Sequence, residues 1–383
     1  MRLLSRMSLP FALLALGLLG PAVGSASAQS GSSGVAGHVY VDDNTADTNT
    51  IGAFDRQADG SLVPAPGSPF AAGGAGAGNG LADQGAVQVA DNGQYLLAVD
   101  AGSNEISVLR IRPDGSLRLA SVVPSGGTLP DSIAVHGDLV YVANSGTVAN
   151  YTGFILGRGG SLTPLAGSTF SLPAGAAPAE VLLNGDGTRL VGTEVGPSVI
   201  DSFTVGSDGL LTAASGSPFP AQGLGPFGSE FRPTNPNQLF VSNAHNVGAG
   251  TGTISAFNDS VDGILTPIGA SPVADLQTAP CWVEITPDGE FLFTVNTGSG
   301  EISRYSIAPG GQLTLLGSTP VSATGGVGAV DARLSQDGHT LYVDESKIGK
   351  VGEFAVSGGN LTELAGSPVS LPAGATPAGV ATS

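Results

Sequence analysis

Seven times along the chain an alternating apolar segment ends on a polar residue. These segments read HVYVDD (38–43), YLLAVD (95–100), LVYVAN (139–144), RLVGTE (189–194), QLFVSN (238–243), FLFTVN (291–296) and TLYVDE (340–345). Period-two alternation rich in β-branched and aromatic residues predicts β-strands. A Gly/Ser/Asn turn follows each, then another strand such as EISVLRI (105–111), TISAFN (253–258) or EISRYSI (301–307). Next come a glycine turn and an extended segment: DGSLVPAPGSPF (59–70), DGSLRLASVVPS (114–125), GGSLTPLAGSTF (159–170), DGLLTAASGSPF (208–219), DGILTPIGASPV (262–273), GGQLTLLGSTPV (310–321) and GGNLTELAGSPV (358–369). These turns recur about every 50 residues, the length of one four-stranded propeller blade. A Gly/Pro loop then leads to a further strand, such as GAVQVADNG (85–93), CWVEITPDG (281–289) or VDARLSQDG (330–338). Beyond the first 28 residues no segment has helical periodicity with caps.

The two ends complete the pattern. The repeats begin at the HVYV strand with no inner strand before it, and the chain finishes on PAGVATS (377–383), which matches the start of one. The C-terminal strand is therefore expected to supply the missing strand of the first blade and close the ring, leaving no exposed edges. The predicted fold is all-β: a seven-bladed β-propeller of four-stranded antiparallel blades.

Composition adds compartment and partner class. Arg2 and Arg6, the apolar run LPFALLALGLLGPAVG (9–24) and Ala26-Ser27-Ala28 read as an export signal. The expected organisation is a signal peptide over 1–28 and one propeller domain over 29–383. The expected location is periplasmic or extracellular, without membrane insertion after cleavage. The net charge is −18, and Lys347 and Lys350 are the only lysines, so nucleic acid is not an expected partner. The single cysteine, Cys281, excludes an intramolecular disulfide. Four scattered histidines have no zinc-ligand spacing, so no cofactor is required by the sequence and a divalent metal is left open. GxSxG and HExxH are absent. The Gly-rich run 73–80 lacks a GK[ST] ending and is expected as a loop. The acidic run DDNTADTNT (42–50) is expected as a solvated turn.

The repeats YLLAVDAGSNEISVLRIRPDGSL and PCWVEITPDGEFLFTVNTGSGEISRYSIAPGGQLTLL resemble the secreted bacterial lactonase-family seven-bladed propellers, described as 6-phosphogluconolactonase-like or 3-carboxymuconate-cyclase-like, with YVTN-type repeats. The resemblance covers essentially the whole chain after the signal. It implies a central funnel where acidic groups, Arg and sometimes His act on a lactone or carboxylate substrate.

Aligning the inner strands on their terminal turns locates candidates in that funnel. One ring of equivalent positions holds Gln88, Ala134, Leu182, Glu230, Glu284, Arg333 and Ala381; another holds Ala86, Ser132, Glu180, Gly228, Trp282, Asp331 and Gly379. Glu230, Glu284 and Arg333 fall on three consecutive blades. They are the catalytic candidates: a carboxylate to activate water and an arginine to stabilise the oxyanion. The same residues also make sense as an ion-pair network tying blades together. Glu180, Asp331, Trp282, His245, Glu194, Asn243 and Asn296 are candidate substrate-binding residues, with packing as the alternative for Trp282, a solvated loop position for His245, and turn capping for Glu194 and the asparagines. The expected activity is hydrolysis of a neutral or weakly charged lactone or sugar-like small molecule by a monomeric protein. The alternatives are a non-catalytic binding or scaffold propeller and a cycloisomerase of the carboxymuconate cyclase type.

Overall fold

The computed structural model describes residues 34–81, 83–90, 93–322 and 328–383, so the predicted export signal lies outside the described residues. Seven antiparallel sheets form, each ordered from an outer strand to an inner one. The inner strands are Gly379–Thr382 for blade 1, then Val87–Val89, Pro130–His136, Pro178–Leu183, Pro226–Arg232, Pro280–Ile285 and Ala329–Leu334 for blades 2 to 7. Among the described residues every regular element is a strand, as expected. We call upper the face where inner strands begin and second strands end; glycine turns such as Asp59-Gly60 lie on the lower face.

Local chemistry explains the repeated residues. In five blades the outer strand is split, for example Leu62–Pro64 and Phe70–Ala71 in blade 1. At each split the serine of the Gly-Ser-Pro or Gly-Ser-Thr motif, or of Ala-Ser-Pro in blade 5, supplies the missing acceptor. The Oγ atoms of Ser68, Ser168, Ser217, Ser271 and Ser367 accept from the backbone N–H of Ala53, Gly153, Ser202, Ala256 and Glu353 at 2.7–2.9 Å. A buried amide left without that oxygen would cost about 1–3 kcal/mol. The tyrosines of the second strands tie blades together. Tyr40, Tyr141 and Tyr342 donate their hydroxyl protons to the carbonyls of Gly115, Gly209 and Gly60, each in the glycine turn of the next blade. Gly115 itself has φ +75°, and a Cβ there would collide with the His38 ring, so both backbone and space demand glycine. The apolar core is accordingly a series of layers between neighbouring blades. One layer joins Tyr40, Ile51 and Ala53 of blade 1 to Leu96, Leu109 and Leu117 of blade 2.

The ring closes as predicted. Val39, Tyr40, Val41 and Asp42 pair with Thr382, Ala381, Val380 and Gly379, and His38 and Ser383 exchange backbone hydrogen bonds of 3.1 and 2.9 Å. Val380 is fully buried. Its amide also donates to Asp331 Oδ2 at 3.1 Å, joining blade 1 to blade 7.

One expectation is corrected. The run 42–50 is not simply a solvated turn, because Asp42, Asp43 and Asn44 are buried. Asn44 donates to the carbonyls of Asn79 and Thr376 and accepts from the amide of Ala77. It thereby pins the Gly-rich loop 73–80 over the upper face. Three acidic or amide residues in a row read as polar surface, but here the chain supplies partners for the amide.

Closure can be tested directly. Val380→Asp places a carboxylate in the seam and exposes the 35–42 edge. Soluble yield should collapse, and any soluble fraction should run as aggregates by light scattering, whereas Ser383→Ala should remain native. A monomeric Val380→Asp protein with an unshifted melting temperature would contradict the shared sheet.

Candidate functional site

Strand register places the first predicted ring in full. Gln88, Ala134, Leu182, Glu230, Glu284, Arg333 and Ala381 pair with Leu97, Tyr141, Val191, Phe240, Phe293, Tyr342 and Tyr40, the third residue of each of the seven repeated segments. These seven positions form one level around the axis. Arg333 Nη1 lies 3.2 Å from Glu284 Oε1, and Glu284 Oε2 accepts from the amide of Leu334 at 2.9 Å. Burial, and then the Glu284 carboxylate, pushes Glu230 up to about 8, with Arg333 opposing. Glu284 is also raised by burial, against the pull of Arg333. For Arg333 burial works downward, but Glu284, Glu230, Asp331 and Glu180 outweigh it and hold the guanidinium protonated.

The level above is closed. The segment Asp83-Gln84-Gly85 leaves blade 1 and crosses the axis. The Gln84 amide donates to the Ala179 carbonyl of blade 4 at 2.9 Å. Its side chain accepts from Val283 N and donates to the carbonyls of Ser229 and Val283, in blades 5 and 6. Ser132 of blade 3 donates to the Gln84 carbonyl, and Trp282 Nε1 donates to the Asp83 carbonyl. Gly228 makes room, since a Cβ there would collide with Gln84 Oε1. Below this crosspiece the Glu230–Arg333 level retains a cavity of only about 80 Å3, lined by Gln84, Gln88, Ala134, Glu180, Glu230 and Arg333 among others. Ligand pockets for small molecules run to about 300–1,000 Å3, so this space suits a few waters rather than a sugar ring.

Above the crosspiece lies a pocket of about 730 Å3 spanning blades 2 to 5. Its wall includes Asn79 of the Gly-rich loop, the following Leu81, Asp131, Ser145, Phe227 and His245. Among the described residues no lysine or arginine lines it. Asp131 is 2% exposed, its Oδ1 has no hydrogen-bond partner, and burial holds its carboxyl well above the usual range. Two residues of the wall, Leu129 and Ala177, carry φ values of +53° and +48°. Such left-handed backbone at non-glycine residues is strained.

The nominated residues fall into three groups. Glu230, Glu284, Arg333, Glu180 and Asp331 gather about the axis, and Ser229 binds Glu180 through both its amide and its hydroxyl. Burial pushes Asp331 up to about 7 against Arg333. His245 reaches the upper pocket. Trp282 is buried against Phe227, with ring centroids 5.5 Å apart in an edge-on arrangement. Asn243 and Asn296 are fully buried and cap their own hairpins, donating to Ser255 and Ser303 hydroxyls at 2.9 Å. Glu194 is buried beside Asp201 and is pushed up to about 8 by burial first. Asp131 was missed at the sequence level. Its signal was available: in the ring Gly85, Asp131, Ala179, Phe227, Cys281, Val330 and Ala378 it is the one charged residue.

Carboxyls with raised pKa crowd the upper axis. Asp83 is raised well above its ordinary value by burial and by Asp131, Asp331, Asp42 and Glu180; Asp344 is raised by burial and by Asp331, Asp43 and Asp42. Among the described residues no group of three or more His, Cys, Asp or Glu is arranged to hold a metal ion.

The sequence profile described as lactonase, 7-bladed beta-propeller, matches residues 47–165 and 232–377. No curated protein sequence matches the chain. Among solved structures, a candidate 6-phosphogluconolactonase from Bacteroides uniformis is 20% identical with a TM-score of 0.72, over 91% of this chain and 99% of that one. A periplasmic gluconolactonase from Pseudomonas aeruginosa is 17% identical with a TM-score of 0.72, over 90% and 98%. A protein from Lactobacillus plantarum is 19% identical with a TM-score of 0.70, over 91% and 99%.

The acidic crowding sets a pH dependence. Carboxyls with raised folded pKa values bind more protons folded than unfolded, so their stability is present at low pH and lost as pH rises through the folded values. Those values are about 6 for Asp259, about 7 for Asp43, Asp331, Glu345 and Glu353, and about 8 for Glu230. The melting temperature by calorimetry should fall steadily between about pH 5 and about pH 9. A rise over that interval would contradict the burial of these groups.

Proposed function

This chain belongs to the seven-bladed β-propeller lactonase family, and from that premise we propose that it hydrolyses a neutral cyclic ester in the pocket on its upper face. The observation that carries the reading is the contrast in size and charge between the two spaces on the axis. The upper pocket, at about 730 Å3, admits a sugar lactone; the lower cavity, at about 80 Å3, does not. Among the described residues the upper wall has no lysine or arginine to hold a phosphate or a dicarboxylate. Of the two lactone types named for the structural neighbours, a gluconolactone suits this pocket and its 6-phosphate does not. The same lack of cations disfavours a carboxymuconate-type cycloisomerase. Strained backbone at Leu129 and Ala177 in the pocket wall supports a functional role for this mouth.

The chemistry follows from the two titratable side chains in the wall. His245 takes a proton from a water molecule as the oxygen attacks the lactone carbonyl carbon. Asp131, kept protonated by burial, donates its proton to the ring oxygen as the acyl C–O bond breaks. The product is the open-chain hydroxy acid, and proton transfer from the histidine restores Asp131. In this reading Glu230, Glu284 and Arg333 hold blades 5 to 7 at a fixed spacing beneath the pocket and touch no substrate. Glu180 and Asp331 belong to the same support. We further propose that residues 1–28 direct export, that 29–383 fold as one monomeric domain, and that the substrate is met outside the cytoplasm.

Asp131→Asn and His245→Gln should each lower kcat/KM on gluconolactone about 100-fold or more, with melting temperatures little changed. Glu230→Gln should stay within about threefold of the parent. Full loss of turnover in folded Glu230→Gln, with Asp131→Asn active, would move the chemistry to the lower level. Binding of the lactone without turnover in the parent would instead favour a non-catalytic binding propeller.

A further inference from the structure

A second concavity lies on the opposite face. At the junction of blades 2 and 3 the lower surface holds a groove of about 710 Å3. Tyr95, Leu156, Gly157 and Gly159 are among the residues that line it, and Tyr95 and Leu156 are largely buried. Arg110 and Arg158 project into it, both exposed, and among the described residues neither makes an ion pair. Arg118 pairs directly across from Arg110 on the neighbouring strand, so it flanks the groove on the same sheet face. Among the described residues Asp138 is the one acidic residue of the lining.

The repeat supplies an internal control. The same concavity recurs at the junction of blades 6 and 7, at about 450 Å3, where the lining carries Asp288, Glu290 and Asp337. Tyr95 there becomes Phe291, and Gln94 becomes Glu290. The backbone therefore makes the groove, and the side chains decide its charge. Both arginines depart from the repeat. Position 110 is Asp55, Ile155, Thr204, Asn258, Ser306 or Ala355 in the other blades. The lower turn carries Asp59, Asp114, Asp208 and Asp262 in four blades and Gly159, Gly310 and Gly358 in the other three; the residue before it is Arg158 in blade 3 and Ala58, Pro113, Ser207, Val261, Pro309 or Ser357 elsewhere. Two independent departures, Arg110 and Arg158, bring two cations to one groove.

We propose that this groove binds a saccharide carrying an oxyanion, a carboxylate or a phosphate, with Arg110 and Arg158 on the anion and the sugar ring over Tyr95 and Leu156. Guanidinium groups stay charged at any physiological pH and bind both oxyanions through paired N–H donors. The net charge of −18 does not forbid this, because charges beyond about 8 Å are screened at physiological ionic strength. The site is independent of the upper pocket and of its chemistry.

Calorimetric titration of the intact protein with galacturonate, galactose 6-phosphate and galactose tests it. Both anionic sugars, or one of them, should bind saturably, and galactose should not. Which one binds more tightly identifies the source of the oxyanion. Binding should weaken at about 1 M salt, where the screening length falls to about 3 Å. Arg110→Gln and Arg158→Gln should each weaken it about 10-fold. Arg112→Gln, outside the lining, should change it less than about twofold. Both substitutions are at exposed positions, and Arg158→Lys, which retains charge, should keep part of the affinity. Lactone turnover should be unchanged in all of these variants. Absence of saturable binding by either anionic sugar, equal binding of galactose, or binding indifferent to both Arg110→Gln and Arg158→Gln would overturn the proposal.

Discussion

The structure depends on one pairing: residues 39–42 against 379–382. Every blade buries its faces only against neighbours, so an open series would leave two faces and two edges in water. The four-residue seam removes both edges at once. It also sets the spacing around the axis, because Val380 and Asp331 connect blade 1 to blade 7 through the seam itself. Fixed spacing then determines which inner-strand side chains can meet.

That consequence was legible in part. Alternation, turn spacing and the truncated last repeat were enough for strand type, blade number and closure. The inner-strand alignment also survived as strand register, bringing Glu284 and Arg333 into an ion pair. What stayed hidden was occupancy of the axis. Gln84 sits in a loop with no periodic signal, and its bonds to blades 4, 5 and 6 depend on distances across the ring. Without it the axis reads as one open funnel; with it there are two spaces of very different size. The repeated tyrosines and serines were visible as letters, but their partners lie in the next blade or at a strand break, beyond what local pattern carries.

Charge distribution follows the same division. One guanidinium, Arg333, stands among the carboxyls of Glu284, Glu230, Asp331 and Glu180, so desolvated acids there are largely offset by protons. Among the described residues that line the mouth above, Asp131 is the one acid and His245 the one histidine, and neither lysine nor arginine is present. Such a surface discriminates by what it lacks, because an extra phosphate entering it would lose hydration with no cation in return. At the hairpin ends Asn243 and Asn296 donate to serine hydroxyls of their own hairpins, Ser255 and Ser303.

The central claim is that the lactone-derived ligand sits above the crosspiece. A crystal structure with bound gluconate, the open-chain product, tests this most directly. The account predicts ligand density in the upper mouth between blades 3 and 5, within hydrogen-bond distance of Asp131 and His245, with Gln84 unmoved. Density beneath Gln84, with a carboxylate on Arg333, would contradict it.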